Sequence, residues 1–264
     1  MKIDKVLFTI DDNPHYFGFW SSISKHFKLR MNIESKLFIL GTNVDISKYD
    51  TRYGEIEIVE PIPDIPKIIQ SLIAKFYFTK SEPDTTWIIG DLDLYPLQQK
   101  HFKETIFDIP DDKYIHLNPH AYTTNWRNKF EGLAGYFHVA KGSIFIDELK
   151  LDKSFEEIVN EIYTSNKYGI QFYNLGARPE SKQASKDWGW FCCEEMYTGE
   201  LLRNSKKLIE IAPAQGYTRL DRSYMVYDIN DIKLGKYIDF HSPRPYERYS
   251  SIIESIVENI PNDK

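Results

Sequence analysis

Apolar residues occur along the chain in short runs separated by stretches with helical spacing, a pattern typical of alternating strands and helices. The runs are predicted to be strands, at residues 5–10, 36–40, 55–59, 87–90, 113–117 and 136–140. The run at 55–59 (EIEIV) alternates apolar and polar residues, whereas the run at 87–90 (WIIG) is too apolar for an exposed edge. The latter therefore indicates a central strand.

Between these runs, apolar residues recur every three or four positions, which predicts amphipathic helices. One such helix is predicted to open at Pro66, a residue suited to a first helical turn. Ser154 and Glu157 form a capping-box signature before a second helix, and Pro261 stops the last one. Strands that alternate with helices predict an α/β fold with a central, mostly parallel sheet flanked by helices.

Composition narrows the class of protein. With 264 residues and 42% hydrophobic content, the chain can bury the core of one large domain, or of one domain with a small lobe, and we expect a single domain at 1–264. The formal net charge of -6 argues against a general affinity for nucleic acids. Aromatic residues make up 15% of the chain, which suits stacking on bases or sugars but fits an aromatic core equally well.

The cysteine content and the apolar runs bear on the compartment. Cys192 and Cys193 are adjacent, and neighbouring cysteines rarely form a disulfide because the geometry strains the peptide between them. We therefore expect a reducing, cytoplasmic environment. The first residues lack the apolar stretch of a signal peptide, and no run approaches the roughly 20 apolar residues of a membrane span. We accordingly expect no transmembrane segment.

A pair of carboxylates follows the predicted central strand. Asp91 and Asp93 come directly after the run at 87–90, where ligands of α/β proteins gather. Alternation along an extended chain would send both side chains to one side, and Pro96 would then turn the chain away. Carboxylate oxygens suit Mg²⁺ or Mn²⁺, which can bridge to a diphosphate. The alternative is that both are ordinary strand-end carboxylates, since the D-x-D pattern is short and common.

The segment D-L-D-L-Y-P-L at 91–97 resembles the D-x-D segment of GT-A-fold glycosyltransferases and is especially similar to the D-V-D-L-I-P type of β-1,4-galactosyltransferases. The resemblance implies a GT-A, Rossmann-like nucleotide-diphospho-sugar transferase fold. It implies that Asp91 contacts the nucleotide sugar and that Asp93 binds Mn²⁺ or Mg²⁺. It also implies a nucleotide-sugar-binding half at 1–95 and an acceptor-binding half at 96–264.

Three further segments carry the resemblance. GLAGYFHVAK at 132–141 is similar to the small-residue segment and strand that lie beneath donor and acceptor, and DFHSPRP at 239–245 to a C-terminal segment whose histidine completes the metal site. DWGWFCCEE at 187–195 resembles W-G-W-G-G-E-D-D, where tryptophan borders the acceptor pocket and a carboxylate takes the acceptor proton. This chain has Phe-Cys-Cys in place of the glycines and Glu-Glu in place of Glu-Asp-Asp.

The resemblance assigns roles to particular residues. His241 would join Asp93 in the metal site, against the alternative of a structural histidine. Glu194 or Glu195 would be the general base, with Glu194 preferred, against the alternative that both complement the positive end of a helix. Donor contacts are expected from Thr9, Ile10, Asp11, Lys75, Asp91 and Arg244. Acceptor contacts are expected from Gly135, Tyr136, Trp188 and Trp190.

The sequence therefore predicts a metal-dependent, inverting glycosyltransferase that moves a sugar from a nucleotide-diphosphate donor, with UDP the favoured nucleotide, to a glycan or other hydroxyl acceptor. Residues 165–187 are read as a loop that closes over the donor. Two alternatives remain open. One is a carbohydrate-binding protein without catalysis on the same fold, and the other is a phosphatase or phosphotransferase with an aspartate nucleophile.

Overall fold

The structure of the protein is a computed structural model that describes residues 1–119, 132–165, 167–168, 192–222 and 227–261. The strands are β1 (Lys5–Asp11), β2 (Glu34–Leu40), β3 (Gly54–Val59), β4 (Thr86–Ile89), β5 (Leu94–Pro96), β6 (Tyr114–Leu117), β7 (His138–Lys141), β8 (Leu208–Ile211), β9 (Thr218–Asp221) and β10 (Tyr237–His241). The helices are α1 (Phe19–His26), α2 (Lys67–Tyr77), α3 (Gln99–Lys103), α4 (Gly142–Leu149), α5 (Phe155–Ser165), α6 (Cys193–Leu202), α7 (Ile229–Lys233) and α8 (Tyr246–Glu258). Shorter helical turns lie at Pro14–Tyr16, Phe27–Met31, Ile46–Lys48 and Phe78–Ser81.

The main sheet has seven strands in the order β3-β2-β1-β4-β7-β6-β8. Strand β7 runs antiparallel to both of its neighbours, β4 and β6, and the other pairs are parallel. The predicted α/β architecture with a mostly parallel central sheet is confirmed. Because β1 and β4 are parallel neighbours, their carboxyl ends meet at one edge of the sheet.

Helices cover both faces of this sheet. Alternation along β1 sends Val6 and Phe8 into one apolar core, with residues of α1 and α8, and Leu7 into a second core, with residues of α2 and α4. The apolar face predicted after Pro66 lies in this second core, where Ile69 and Ile73 of α2 are buried. The described part of the chain contains no helix that is both long and apolar enough to cross a membrane.

A second sheet has three strands in the order β5-β10-β9, with β10 antiparallel to β5 and parallel to β9. The sequence predicted that Pro96 turns the chain away after the two aspartates, but Pro96 instead ends β5 and pairs with Asp239. Proline fits there because β5 is an edge strand, whose outer side needs no backbone donor. This small sheet joins the segment after Asp93 to the C-terminal part of the chain.

Strand β7 begins two residues later than the predicted run at 136–140. The reason lies at Phe137, whose φ of 57° is in the left-handed region and interrupts the extended backbone. The Phe137 N–H donates a hydrogen bond of 2.7 Å to the Ile89 carbonyl, so the chain is fixed at the end of β4. Residues 132–136 therefore lie beside the edge where Asp91 and Asp93 emerge.

Candidate active site

The two aspartates lie in a turn rather than in an extended segment. The Leu94 N–H donates a 3.0 Å hydrogen bond to the Asp91 carbonyl, which closes a β-turn between β4 and β5. Gly90 precedes the turn, and a Cβ there would lie 2.4 Å from the Phe8 ring, so only glycine fits without displacing it. The predicted alternation from an extended chain is therefore wrong, and the two carboxylates have different partners.

Asp91 belongs to a group centred on Lys75, which lies in the last turn of α2. The Lys75 Nζ is 3.1 Å from Asp91 Oδ1 and 3.2 Å from Glu194 Oε1, and its side chain is 4% exposed. Burial alone would lower the pKa of Lys75, but Asp91 and then Glu194 outweigh it and raise the pKa above its ordinary value. Lys75 was predicted to contact the donor phosphates. In the structure it pairs with Asp91 at the sheet edge and with Glu194 of α6.

The first turn of α6 places both candidate bases against residues 133–135. Glu195 Oε1 accepts a 3.0 Å hydrogen bond from the Gly135 N–H, and the Glu195 carbonyl accepts one from Leu133. Gly135 must be small, because a Cβ there would lie 2.5 Å from Glu194 Oε1. Among the described residues, the buried Oε2 of Glu194 has no hydrogen-bond partner. The two glutamates therefore differ: Oε1 of Glu195 holds a backbone N–H, whereas Oε2 of Glu194 has no partner among the described residues.

Two opposing effects act on the pKa of Glu194. Burial raises its pKa and is the largest cause, while the Lys75 ammonium opposes it. The net direction is upward, which brings the pKa of Glu194 closer to that of a group able to accept a proton near neutral pH. The alternative role at a helix N-terminus is met geometrically as well, since both glutamates lie in the first turn of α6.

Asp93 belongs to a second, more basic group. Its Oδ2 lies 2.8 Å from Arg222 Nη1, 3.3 Å from Arg244 Nε and 3.6 Å from His241 Nε2. Burial would raise the pKa of Asp93, but His241 and Arg222 lower it below the ordinary value. The Ser242 N–H donates to the Asp93 carbonyl at 2.8 Å, so the backbones of the two segments are joined too.

His241 is oriented by a carboxylate on the neighbouring strand. Its Nδ1 lies 3.1 Å from Asp221 Oδ2, while its Nε2 faces Asp93. These two carboxylates raise the pKa of His241 to about 9 against the effect of burial, with Asp93 contributing most. A carboxylate behind a histidine is the usual support of a metal-binding imidazole, because it fixes the tautomer and turns the other nitrogen outward.

Asp93 and His241 fit a divalent cation whose remaining coordination positions are filled by a substrate. Among the described residues, no three His, Cys, Asp or Glu side chains come together as a metal-binding group. Asp93 and His241 nevertheless offer a carboxylate and an imidazole that face each other. Mg²⁺ in proteins commonly takes one or two carboxylates and fills its remaining positions with waters and substrate phosphates. The protein's share of such a site would then be Asp93 and His241.

The remaining predicted donor residues end β1, next to β4. The Thr9 hydroxyl donates to the Ser71 carbonyl at 2.6 Å, and Ile10 is buried. Asp11 Oδ1 accepts a 3.3 Å hydrogen bond from Asn13, and burial raises the pKa of Asp11. Thr9 is thus engaged with α2, whereas Asp11 at the end of β1 is partly exposed.

The predicted acceptor residues divide between described and undescribed parts of the chain. The Tyr136 hydroxyl accepts from Arg219 Nη1 at 2.6 Å, and the Arg219 guanidinium lies 4.8 Å from the Tyr136 ring centroid. One face and the hydroxyl of Tyr136 are therefore already occupied. Trp188 and Trp190 lie outside the described residues, as does nearly all of the predicted loop at 165–187.

Sequence reasoning missed the charged residues of β9 and its end. Arg219 and Asp221 pair across the strands with Asp239 and His241, forming two successive charge pairs on β9 and β10. Arg222, which contacts Asp93, follows directly. The alternation T-R-L-D in 218–221 was the available signal, but the segment is short and mostly polar, so it did not stand out as a strand.

No protein-family model matches the chain, and no curated protein matches it.

Proposed function

We propose that the protein is a metal-dependent glycosyltransferase with a GT-A-type fold. The observation that carries the proposal is the meeting of separate motif segments at one sheet edge. Asp91 is linked through Lys75 to Glu194, and Asp93 contacts both His241 and Arg244. The mostly parallel sheet flanked by helices supports the same family of folds.

Asp93 and His241 would hold the cation, and Asp91 would contact the donor sugar. The cation, when bound, supplies a Lewis acid that neutralises charge on the departing diphosphate. Arg244 would contribute a second positive charge beside the diphosphate, because its Nε lies 3.3 Å from Asp93. Its guanidinium also packs against Tyr16, at 5.0 Å from the ring centroid. The donor is a nucleotide-diphosphate sugar, with UDP the first nucleotide to test.

Glu194 would accept the proton of the acceptor hydroxyl as that oxygen attacks the anomeric carbon. It is preferred over Glu195 because its Oε2 is free among the described residues, whereas the Oε1 of Glu195 holds the Gly135 N–H. Attack from the side opposite the leaving diphosphate inverts the anomeric configuration. The buried environment of Glu194 supports a base, because burial raises its pKa.

A binding protein without catalysis is the second candidate, favoured by one observation. Glu194 Oε1 is 3.2 Å from the buried Lys75, so the glutamate also serves as half of a structural ion pair. In that case the pocket would hold a sugar without a working base.

Thermal melting with UDP-, GDP- and dTDP-sugars, with and without Mn²⁺, tests the proposal first, since ligands stabilise the state that they bind. We expect a shift with one nucleotide that needs Mn²⁺ and disappears in Asp93→Asn. Turnover of that donor should then collapse in Glu194→Gln while donor binding persists, with Glu195→Gln as the matched neighbour. Equal turnover in Glu194→Gln and the wild type would reject Glu194 as the base, whereas donor binding without turnover in the wild type would favour the binding protein. Mn²⁺-independent turnover in Asp93→Asn would reject the metal.

A further inference from the structure

Two guanidinium groups and an imidazole converge on a single carboxylate oxygen. Asp93 Oδ2 is 2.8 Å from Arg222, 3.3 Å from Arg244 and 3.6 Å from His241, and the Asp93 side chain is 6% exposed. The two arginines carry more positive charge than the single Asp93 carboxylate balances, and His241 is also paired with Asp221. Asp93 Oδ2 is therefore already shared by positive groups, and a cation that binds this oxygen would have to displace the nearest of them, Arg222.

The two arginines are held differently. Arg244 packs against the Tyr16 ring, at 5.0 Å from its centroid. Arg222 is fixed through its backbone, because its N–H donates to the His241 carbonyl at 2.9 Å, while its side chain reaches Asp93 and stays 26% exposed. Arg222 can thus redirect its guanidinium without moving its backbone away from His241.

We propose that Arg222 and the divalent cation compete for Asp93 Oδ2, and that Arg222 turns to the donor diphosphate once the cation holds that oxygen. This inference rests on the proposed function. A guanidinium and a divalent cation bound to the same oxygen would repel each other strongly at such short range. A diphosphate is the natural second partner for the released guanidinium, because its planar donors match phosphate oxygens in pairs.

The competition makes two predictions of opposite sign for one substitution. Arg222→Gln should bind Mn²⁺ alone more tightly than the wild type, by roughly tenfold, because a repelling charge is removed. The same variant should bind UDP in the presence of saturating Mn²⁺ more weakly, again by roughly tenfold, because one phosphate contact is lost. A residue that only supports the fold would not produce this reversal.

Free Mn²⁺ is measured by electron paramagnetic resonance during titration of the full chain, and UDP binding by calorimetry. Arg222→Lys keeps the charge and should stay within about twofold of the wild type for Mn²⁺ alone. Arg222→Met removes the charge with a different side chain, so the result does not depend on how glutamine packs. Arg248→Gln is the matched control, since Arg248 is exposed on α8 and its loss changes net charge equally.

The outcomes separate this inference from the function beneath it. Tighter Mn²⁺ binding and weaker UDP binding in the two neutral variants, both with wild-type melting, support the exchange. Equal or weaker Mn²⁺ binding in those variants overturns it while leaving the metal-dependent transferase in place. If neither the wild type nor any variant binds Mn²⁺, with or without UDP, the proposed function fails and the inference fails with it.

Discussion

The buried ion pair between Arg219 of β9 and Asp239 of β10 tests how the three-stranded sheet is stabilised. Arg219 Nε is 2.7 Å from Asp239 Oδ1 and Arg219 Nη2 is 2.8 Å from Oδ2, and the Asp239 side chain is 1% exposed. Asn118 Nδ2 donates to the same carboxylate at 2.9 Å. In Arg219→Met, Asp239 would be left buried with Asn118 as its one side-chain donor among the described residues.

The cost of that substitution follows from the uncompensated charge. Breaking a buried pair by removing one partner typically costs about 3–5 kcal/mol. For a domain of this size, that loss lowers the melting temperature by roughly 10 °C. The double variant Arg219→Met/Asp239→Asn should be less destabilised than Arg219→Met alone, because neither side then carries a stranded charge.

Urea denaturation at pH 7 measures these differences, and the chain supplies a matched control. Arg52 makes an equally close contact with Asp50, at 2.9 Å from Nε to Oδ1 and 2.7 Å from Nη2 to Oδ2, but its side chain is 76% exposed. Arg52→Met should therefore change stability little, since solvent screens exposed pairs. An equal loss in Arg52→Met and Arg219→Met would show that burial is not the cause and would refute the reasoning.

Three further predictions concern single residues. Burial lowers the pKa of His26 from 6.5 to about 4, so the unfolded chain binds the proton first and stability falls as pH drops through this window. Between pH 7.5 and 5 the loss from His26 is about 2 kcal/mol, and urea midpoints of His26→Gln, which can still donate to the Pro96 carbonyl, should lack it. Identical pH slopes in the two proteins would contradict this. Gly135→Ala should cost about 1–3 kcal/mol by calorimetry, because its Cβ overlaps Glu194, and an unchanged melting temperature would show that the two segments separate easily. Lys75→Met should cost about 3–5 kcal/mol in urea, because the buried Glu194 loses its counter-ion, and a loss below that of an exposed substitution would argue against the pair.

Six of the seven strands of the main sheet could be predicted because their signals are local, whereas the edge strand β8 was missed. The run WIIG is apolar throughout, as a strand covered on both faces must be, and β4 is buried along its length. The capping box at Ser154 and Glu157 was likewise readable from four residues, and both side chains make the expected hydrogen bonds. Placement of Asp91 and Asp93 at the sheet edge followed directly from the end of that strand.

The second sheet could not be predicted, because its strands are specified by pairing between distant segments. Leu94–Pro96 has a proline and only three residues, and it becomes a strand only when β10 lies beside it. The partners of Asp93 were missed for the same reason. Arg222 lies at the end of a short, polar strand, and nothing in its local sequence indicates that it reaches the D-L-D turn.

The two groups of the candidate site depend on different sheets. The Asp91, Lys75 and Glu194 group is built on β4, α2 and α6, so its geometry depends on the apolar contacts beneath the main sheet. The Asp93 group depends instead on β10, which places His241 opposite Leu94 and ties Ser242 to the Asp93 backbone. Asp91 and Asp93 are two residues apart in one turn, so this turn directly connects the Lys75 group, which depends on the main sheet, to the Asp93 group, which depends on the small sheet. Any change that shifts β10 along β5 alters the surroundings of Asp93 first and leaves the Lys75 pairs in place.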